Sequence, residues 1–312
     1  MNRLRTPEAG CFVANYPKPT WQPTQCATAS SEPENVGNGH DYAAAAPSGQ
    51  LIGSSTGSFP YVSGLTSEYD SKRGADWYSL QINSNSVASF PVTGFGVSGL
   101  TGWEQFIYAN SPSRGHVFIE YWVTPYFNKT GHCPSQVPPG GGSGWKVGGQ
   151  SCLFNTPGVF TPSVPPKNLN QLTLTAGASA QRDYVVVCIF ATCYTSEVST
   201  SFLGLYKHWN QSEFNVFGSA GSEAVFNSGT TIVVKNYVLN SSLAPFASSV
   251  VCLLGRSKGE STGMTEEPFS GETNNLNLGS CSPATATGVS SFCGCLSAGT
   301  SNVTEIVFTE SD

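Results

Sequence analysis

Charged side chains are scarce in this sequence. Asp, Glu, Lys and Arg together make up 11% of its 312 residues, against roughly 25% in an average soluble protein. Acid unfolds proteins largely by protonating carboxylates that the native state keeps ionised, so a chain with few of them is expected to tolerate acid. There is also no run of Lys and Arg, and the formal net charge is −6. The sequence therefore excludes nucleic acid as a partner, because phosphates are bound by clustered cations.

Long apolar runs are absent as well. No stretch approaches the roughly 18 apolar residues that a membrane-spanning helix needs, so we expect no membrane span. Residues 1–7, with the sequence MNRLRTP, also lack the apolar core of a secretory signal peptide. We interpret the chain as a mature extracellular protein from which the export signal has been removed.

The sequence has no motif for a metal or a nucleotide phosphate. Structural zinc sites use paired Cys-x2-Cys units, but here Cys188 and Cys193 are five positions apart and a single glycine separates Cys293 from Cys295. The four histidines, at positions 40, 116, 132 and 208, are scattered. A P-loop is missing too. We therefore expect neither a metal nor a cofactor.

What the sequence does contain is ten cysteines and four glycosylation sequons. An even number of cysteines together with Asn-x-Ser/Thr sequons favours an oxidising export route, and hence a secreted glycoprotein with disulfide bonds. The sequons start at Asn128, Asn210, Asn240 and Asn302. The predicted local pairs are Cys11–Cys26, Cys133–Cys152 and Cys188–Cys193. The remaining bridges are shared, in an order that stays open, by Cys252, Cys281, Cys293 and Cys295.

Short β-rich runs recur from residue 75 onward between clusters of Gly, Pro, Asn and Ser. This spacing is typical of a β-sandwich. We predict an all-β fold, an antiparallel sandwich of the jelly-roll or concanavalin-like kind, in which residues 76–312 form one domain. Residues 1–75 are rich in Pro, Ser, Gly and Ala, and we interpret them as an irregular N-terminal arm pinned by Cys11 and Cys26.

One segment departs from the strand pattern. Apolar side chains recur with the i, i+3, i+4, i+7 spacing of a helix face at Phe202, Leu205, Tyr206 and Trp209. The sequence therefore predicts one short helix there, with Ser201 available as its N-cap and with the aromatic stripe buried against the sandwich.

Without a metal, the chemistry is expected from carboxylates placed in strands. Alternate residues of a strand point to opposite faces, so Val117, Ile119 and Tyr121 form the natural core face of one run. The other face of that run carries His116, Phe118, Glu120 and Trp122. This second face either lines a groove, with Phe118 in contact with substrate, or is an ordinary solvated outer face.

A neighbouring run has the same character, with Glu104 on the face of Phe106 and Tyr108. If the two strands pair, Glu104 and Glu120 are expected within one groove. A carboxyl group among aromatic rings has its charged form disfavoured and its pKa raised, which suits a general acid. Two such groups serve glycoside hydrolysis, whereas a Gln beside a Glu serves peptide hydrolysis.

Two further clusters carry polar side chains. One strand face is expected to hold both Glu213 and Asn215, and the polar block 271–276 contains Glu272 and Asn274. Such residues either hold a turn through bonds to their own backbone or, in the functional interpretation, provide catalytic carboxylates and substrate contacts.

Several motifs follow one another in an order found in one peptidase family. They are WYSLQ at 77–81, GWEQ at 102–105, FIEYW at 118–122, the loop between Cys133 and Cys152, and FNVFG at 214–218. In order and spacing they resemble the catalytic domain of neprosin-type glutamic peptidases. The resemblance implies a curved antiparallel sandwich with a peptide cleft on its concave face, and an acid-active endopeptidase that uses glutamates. Where that family has its two glutamates this chain has Leu100 and Val216, so the candidate catalytic residues are Gln81, Glu104, Glu120, Glu213 and Glu272.

The leading hypothesis is an acid-tolerant, secreted hydrolase that cleaves polypeptide, with a Glu as general base and a Gln or Asn stabilising the oxyanion. The alternative is a carbohydrate-binding or carbohydrate-active sandwich in which Trp103, Trp122 and Tyr108 stack on sugar rings. A third hypothesis is a non-catalytic extracellular structural protein on the same scaffold. We expect the chain to act as a monomer, with polypeptide or polysaccharide as its partner.

Overall fold

The computed structural model describes residues 9–30, 41–84, 90–199, 201–219, 222–254, 274–283 and 304–312. Within these ranges the strands are β1 (Gly10–Asn15), β2 (Lys18–Pro23), β3 (Tyr42–Ala45), β4 (Ile52–Ser63), β5 (Glu68–Asp70), β6 (Gly74–Ala75), β7 (Tyr78–Ser84), β8 (Phe90–Val92), β9 (Leu100–Asn110), β10 (Gly115–Thr124), β11 (Lys146–Gly148), β12 (Ser151–Asn155), β13 (Val159–Thr161), β14 (Leu172–Ser179), β15 (Arg182–Ile189), β16 (Thr192–Val198), β17 (Gln211–Gly218), β18 (Ala224–Phe226), β19 (Thr231–Asn240), β20 (Val251–Leu254), β21 (Asn277–Pro283) and β22 (Glu305–Ser311). The helical segments are α1 (Tyr126–Thr130) and two 3-10 turns, Pro166–Gln171 and Leu205–Lys207.

The strands make a sandwich of two large antiparallel sheets. Sheet one has the order β2-β1-β16-β15-β14-β4-β19-β22-β21, and sheet two has the order β11-β12-β10-β9-β7-β17-β3-β20. In addition β13 pairs with β10, β8 pairs with β9, and a small third sheet consists of β18, β5 and β6. The predicted all-β antiparallel sandwich is confirmed.

The core lies between the two sheets and is built by the alternation of side chains along each strand. From β10, Val117, Ile119 and Tyr121 enter it as predicted, and all three are fully buried. From sheet one, β15 contributes Val185 and Val187 to the same core. Full burial of an aliphatic or aromatic side chain stabilises a fold by about 1.5–3 kcal/mol, so these inner faces hold the sheets together.

One close approach between the sheets depends on a glycine. Gly57 in β4 lies against the ring of Phe214 in β17, and a Cβ atom at residue 57 would come within 2.0 Å of that ring. Phe214 also packs on Phe59, with ring centroids 5.1 Å apart. Any larger side chain at residue 57 would displace the ring from the core.

The interpretation of residues 1–75 as an irregular arm needs correction. The described parts of this region form β1 to β6, and both sheets contain strands from it: β4 lies between β14 and β19, and β3 lies between β17 and β20. The sequence was misleading because the alanines of β3 and the Gly and Ser residues of β4 have low strand propensity. They form strands here because each of the two strands is paired with a neighbouring strand on both sides, and at Gly57 the small residue also allows a close approach between the sheets.

The helix predicted near residue 205 is reduced to a single turn. Only Leu205–Lys207 is helical, as a 3-10 turn, and Gly204 before it is in the left-handed conformation with φ 81°. Leu205 and Trp209 are fully buried, so these members of the apolar stripe pack in the core as expected. The one α-helix in the described ranges is α1, which the sequence pattern did not predict.

Disulfide bonds tie the chain at four places in the described ranges. The three predicted local pairs, Cys11–Cys26, Cys133–Cys152 and Cys188–Cys193, are confirmed. The fourth pair, Cys252–Cys281, joins β20 at the edge of sheet two to β21 at the edge of sheet one. The last two cysteines, Cys293 and Cys295, lie outside the described residues.

We predict that Gly57→Ala lowers the free energy of unfolding by about 2 kcal/mol, because overpacking a core typically costs about 1–3 kcal/mol. The added methyl group meets the ring of Phe214, so a second change, Phe214→Leu, should recover part of the loss. Urea unfolding of the single and double variants measures both effects. If the two losses simply add, residues 57 and 214 do not press on each other.

Candidate functional site

Polar side chains from four neighbouring strands meet on one face of sheet two. Cross-strand partners in an antiparallel sheet point to the same face. The register pairs Glu120 with Gln105 and Gln105 with Asn83, and on the next strand Glu213 pairs with Asn83. Gln81 lies on the same face, two residues before Asn83. We call these five residues the polar row, and all five are buried.

Hydrogen bonds link the members of the polar row. Gln105 Nε2 donates to Gln81 Oε1 at 2.7 Å and to Asn83 Oδ1 at 3.2 Å. Asn83 Nδ2 donates in turn to Glu213 Oε2 at 3.0 Å. The carboxamides of Gln105 and Asn83 are therefore held in defined orientations, and the network runs across three strands.

At the other end of the polar row, the indole group of Trp122 links Glu120 to Gln105. Trp122 Nε1 lies 2.9 Å from Glu120 Oε1 and 2.8 Å from Gln105 Oε1, and it can donate to both. On the same face is a small apolar cluster that is separate from the main core and consists of Trp103, Trp122, Leu153 and Phe217. The polar row thus joins Glu120 to Glu213 through side chains that are packed on one face of sheet two.

The expectation that Glu104 and Glu120 share a groove is wrong. The turn between β9 and β10 sets a register in which Gln105, not Glu104, is opposite Glu120. Glu104 is opposite Tyr121, whose side chain lies in the core between the sheets. Because successive residues of a strand alternate between its faces, the two carboxyl groups lie on opposite sides of sheet two.

Glu104 belongs instead to a group of carboxyls buried between the sheets. The hydroxyl of Tyr121 donates to Asp183 Oδ2 at 3.2 Å. Burial raises the pKa of Asp183 to about 8, and burial together with the nearby Asp183 charge holds the pKa of Glu104 well above its usual range. Enclosure in the core leaves this pair no access to a substrate.

A cavity of about 300 Å³ lies beside the Glu213 end of the polar row. Both sheets contribute to it, since Asp41 directly precedes β3, Asn215 lies in β17 and Glu310 lies in β22. The cavity, which we call the acidic cavity, is lined by Asp41, Asn215, Asn274, Leu276, Asn277, Leu278 and Glu310. Glu213 is opposite Ala43, two residues after Asp41, so this end of the row lies next to the cavity.

Two carboxamides hold Glu310 in the acidic cavity. Asn215 Nδ2 donates to Glu310 Oε1 at 2.8 Å, and Asn274 Nδ2 donates to Glu310 Oε2 at 2.9 Å. A backbone N–H donates to the side-chain oxygen of each asparagine, at 2.8 Å and 2.9 Å, and so orients the amide. Burial raises the pKa of Glu310 to about 7, and the two amide bonds act against that rise. Because the amide N–H groups of both asparagines point toward the carboxyl group, they stabilise its ionised form. They also disfavour binding of a metal ion at these carboxylate oxygens.

Asp41 is the second carboxyl of the cavity and has a different setting. Its Oδ1 accepts a hydrogen bond from the backbone N–H of Tyr42 at 2.7 Å. Its Oδ2 has no hydrogen-bond partner among the described residues, although only 1% of Asp41 is exposed. Burial, followed by the charges of Glu310 and Glu213, holds the pKa of Asp41 well above its usual range. The two carboxyls therefore differ in setting, because the charge of Glu310 raises the pKa of Asp41 whereas the bonds from Asn215 and Asn274 act against the rise at Glu310.

The structure brings together some of the predicted site residues and separates others. Three of the predicted catalytic residues, Gln81, Glu120 and Glu213, belong to the polar row. The predicted substrate contacts Asn215 and Asn274 meet at the acidic cavity. Glu272 lies outside the described residues, so its predicted role stays a prediction.

The aromatic side chains predicted to contact substrate are all buried. Trp103 and Trp122 are each 4% exposed and pack on each other, with ring centroids 6.0 Å apart. Tyr108 lies in the core between the sheets, and Phe118 is fully buried. These rings offer no open face to a sugar, so the predicted stacking surface is not formed.

The sequon asparagines differ in accessibility. Asn128 and Asn210 are exposed. Asn240 is half-buried and its Nδ2 donates to the carbonyl of Pro245 at 3.2 Å, which competes with attachment of a glycan. Asn302 lies outside the described residues. Glycosylation stays a prediction, with Asn128 and Asn210 as its most accessible acceptors.

Sequence reasoning missed part of both sites. The position of Gln105 opposite Glu120 can be found by counting back along the hairpin of β9 and β10 from the turn between them. The turn was therefore a sequence signal that could have identified Gln105. Asp41 and Glu310 had no such signal, because they are far apart in the chain and meet only where β3 and β22 come together.

The described ranges contain no three His, Cys, Asp or Glu side chains arranged to hold a metal ion. None of the helices described is long and apolar enough to cross a membrane. No family model, curated protein or solved structure matches the chain. The functional interpretation therefore depends on the geometry of the polar row and the acidic cavity.

The buried carboxyl groups predict that the fold is most stable in acid. Burial raises the pKa of Glu68 to about 9, of Asp183 to about 8, and of Glu213 and Glu310 to about 7, whereas such groups ionise near about pH 4 in an unfolded chain. The stability that they contribute is complete below about pH 4 and is lost as the pH rises through these raised values. Thermal melting should therefore give the highest Tm in acid and a decreasing Tm toward about pH 9.

The variant Asp183→Asn tests how much one of these buried carboxyl groups contributes to the pH dependence of stability. Because Asn cannot ionise, the Tm of this variant should fall less than that of the wild type above neutral pH. Asp312→Asn, at an exposed position, is the matched control and should follow the wild type. A wild-type Tm that rose steadily from about pH 4 to 8 would show that these carboxyls are ionised in the native state.

Proposed function

We propose that the protein is an acid-tolerant hydrolase that cleaves polypeptide outside the cell, with its catalytic carboxyl groups in the acidic cavity. The supporting observation is that two carboxyl groups in different environments, Asp41 and Glu310, line the same cavity. Acid–base catalysis needs such a difference, because one group must be ionised while the other is protonated.

Glu310 is the general base in this proposal. Both of its oxygens accept amide N–H bonds, from Asn215 and Asn274, and these bonds stabilise the carboxylate. In this proposal Glu310 ionises before Asp41 and takes a proton from a water molecule in the cavity. The water oxygen then adds to the carbonyl carbon of the peptide bond. The side chain of Asn277, which also lines the cavity, is the candidate donor to the oxyanion.

Asp41 is the general acid. Its Oδ2 is buried without a hydrogen-bond partner in the described ranges, so no described acceptor competes with a substrate in the cavity for a proton on this oxygen. Asp41 gives the proton to the leaving nitrogen as the C–N bond breaks, which produces a carboxylic acid and an amine. Glu310 then releases to solvent the proton that it took from water, and Asp41 takes one up.

The size and lining of the cavity favour polypeptide over polysaccharide. Its volume of about 300 Å³ is at the small end of the range of about 300–1,000 Å³ for ligand pockets, which suits one peptide group or side chain. Its described lining contains Leu276 and Leu278 but no aromatic ring. The resemblance to neprosin-type peptidases supports the same substrate class.

The extracellular setting is part of the proposal. Disulfide bonds persist in oxidising compartments, and four are present in the described part of the chain. Exposed sequons at Asn128 and Asn210 fit glycosylation on the same export route. The monomeric state expected from the sequence belongs to the same proposal.

Asp41→Asn and Glu310→Gln test the catalytic assignment. Each change should lower kcat toward a denatured, unglycosylated protein by about 100-fold or more, because general acid–base groups contribute about 10²–10⁴-fold. Wild-type activity should rise as the pH increases through about 7, where Glu310 ionises, and fall at higher pH as Asp41 loses its proton. Circular dichroism and thermal melting establish that the variants fold.

Glu120→Gln is the matched control, because it neutralises a buried carboxyl of the polar row that does not line the cavity. This variant should retain activity. If cleavage is lost in E120Q but survives in D41N and E310Q, the catalytic group lies in the polar row and the cavity assignment is wrong. No cleavage by the wild type at any pH would favour a non-catalytic extracellular protein.

A further inference from the structure

The strands around the acidic cavity contain no positive charge. None of β3, β17, β20, β21 and β22 contains Lys, Arg or His. In β19, which pairs with β22, the one cation is Lys235, and its Nζ lies 2.6 Å from a carboxylate oxygen of Glu305, five residues before Glu310. Among the described residues that line the cavity, two are acidic and none is basic. The described part of the chain thus gives Asp41 and Glu310 no cationic partner.

One carboxyl oxygen of the cavity is also buried without a donor. Asp41 is 1% exposed, and its Oδ1 accepts the N–H of Tyr42 at 2.7 Å. Its Oδ2 has no hydrogen-bond partner among the described residues. A buried polar atom without a partner raises the free energy of the folded state. A ligand that brings an N–H group into the cavity would remove that cost.

The bonds to Glu310 distinguish between two kinds of cation. Its Oε1 accepts from Asn215 and its Oε2 accepts from Asn274, so each oxygen keeps acceptor capacity but neither is without a bond. A guanidinium group binds a carboxylate best when two parallel N–H groups meet both oxygens in one plane. An ammonium group binds as a compact point charge through single N–H groups. The geometry therefore fits an ammonium better than a guanidinium.

The remaining lining fits an aliphatic chain. Leu276 and Leu278 line the cavity together with the two carboxyl groups, and they can cover the carbon chain of a ligand. The volume of about 300 Å³ is at the small end of the range for ligand pockets, which limits that chain to a short one. We propose that the acidic cavity binds a short aliphatic primary amine as its ammonium ion, with N–H groups donated to Asp41 Oδ2 and to Glu310.

This inference rests on the proposed function only for its effect on catalysis. In the catalytic scheme Asp41 is protonated, whereas an ammonium ion needs an acceptor oxygen at the same place. A bound amine therefore removes the general acid and fills the space that the peptide group would occupy. Primary amines are then competitive inhibitors of cleavage.

Binding of the amine depends on the charge of the carboxyl groups. Burial raises the pKa of Glu310 to about 7, and the other described acidic groups that face Asp41 are Glu310 itself and Glu213. Acidification to about pH 5 protonates Glu310, whereas an aliphatic ammonium ion stays charged up to about pH 10. The affinity for the amine should therefore decrease as the pH falls from about 8 to 5.

Isothermal titration calorimetry of the full chain with n-butylamine at about pH 8 tests the site. Butylamine should bind at least about tenfold more tightly than 1-butanol, which has no charge, and than n-butylguanidine. Asp41→Asn and Glu310→Gln should each weaken binding by about tenfold or more, and E310Q should also reduce its dependence on pH. Glu120→Gln is the matched control, because this buried carboxyl does not line the cavity. It should leave binding unchanged.

The wild-type comparison of the three probes does not depend on the folding of any variant. The proposal is overturned if the wild type binds the three probes alike, or if E120Q weakens binding as much as D41N and E310Q. Cleavage assays separate it from the proposed function. A wild type that binds butylamine but cleaves no polypeptide at any pH would overturn the catalytic assignment alone, and one that cleaves but binds no butylamine would overturn the amine site alone.

Discussion

Desolvation of buried carboxyl groups determines how the stability and the chemistry of this fold depend on pH. Removing a carboxylate from water costs far more free energy than removing a neutral carboxylic acid. Burial therefore favours the protonated form of the carboxyl group in the folded protein. Between the sheets, Glu104 and Asp183 are enclosed by the core. In the acidic cavity, Asp41 and Glu310 border open space. Raised pKa values occur in both places, so access to the cavity is what distinguishes a group available for chemistry from one that serves stability alone.

The alternation of side chains makes much of this fold predictable from sequence. The inward face of β10, with Val117 and Ile119, follows from the two-residue period, and three disulfides follow from local spacing. The polar row was only partly predictable, because the face that a residue shares with another strand depends on register as well as on period. A one-residue error in that pairing is enough to put Glu104 where Gln105 belongs, opposite Glu120.

The acidic cavity and the first strands escaped prediction for different reasons. The Ala, Gly and Ser residues of β3 and β4 become strands because each sheet supplies a pairing partner on both sides, which overrides their weak intrinsic preference. Asp41 and Glu310 approach each other only through long-range strand pairing, and no local pattern encodes that contact. Similarly, the helical spacing around Leu205 is interrupted by Gly204, whose left-handed conformation prevents the helical turn from extending back to Phe202.

The disulfide between Cys252 and Cys281 has a consequence for the molecule in concentrated solution. It holds one edge strand of each sheet, β20 and β21, side by side. A free sheet edge presents unpaired backbone groups that recruit strands from other molecules, and two tethered edges hinder each other's access. The opposite edge strand of sheet one, β2, contains Pro19 and Pro23, which have no N–H for an incoming strand. Among the described residues, these features protect three of the four edges of the two large sheets, namely β2, β20 and β21, against pairing with strands of other molecules.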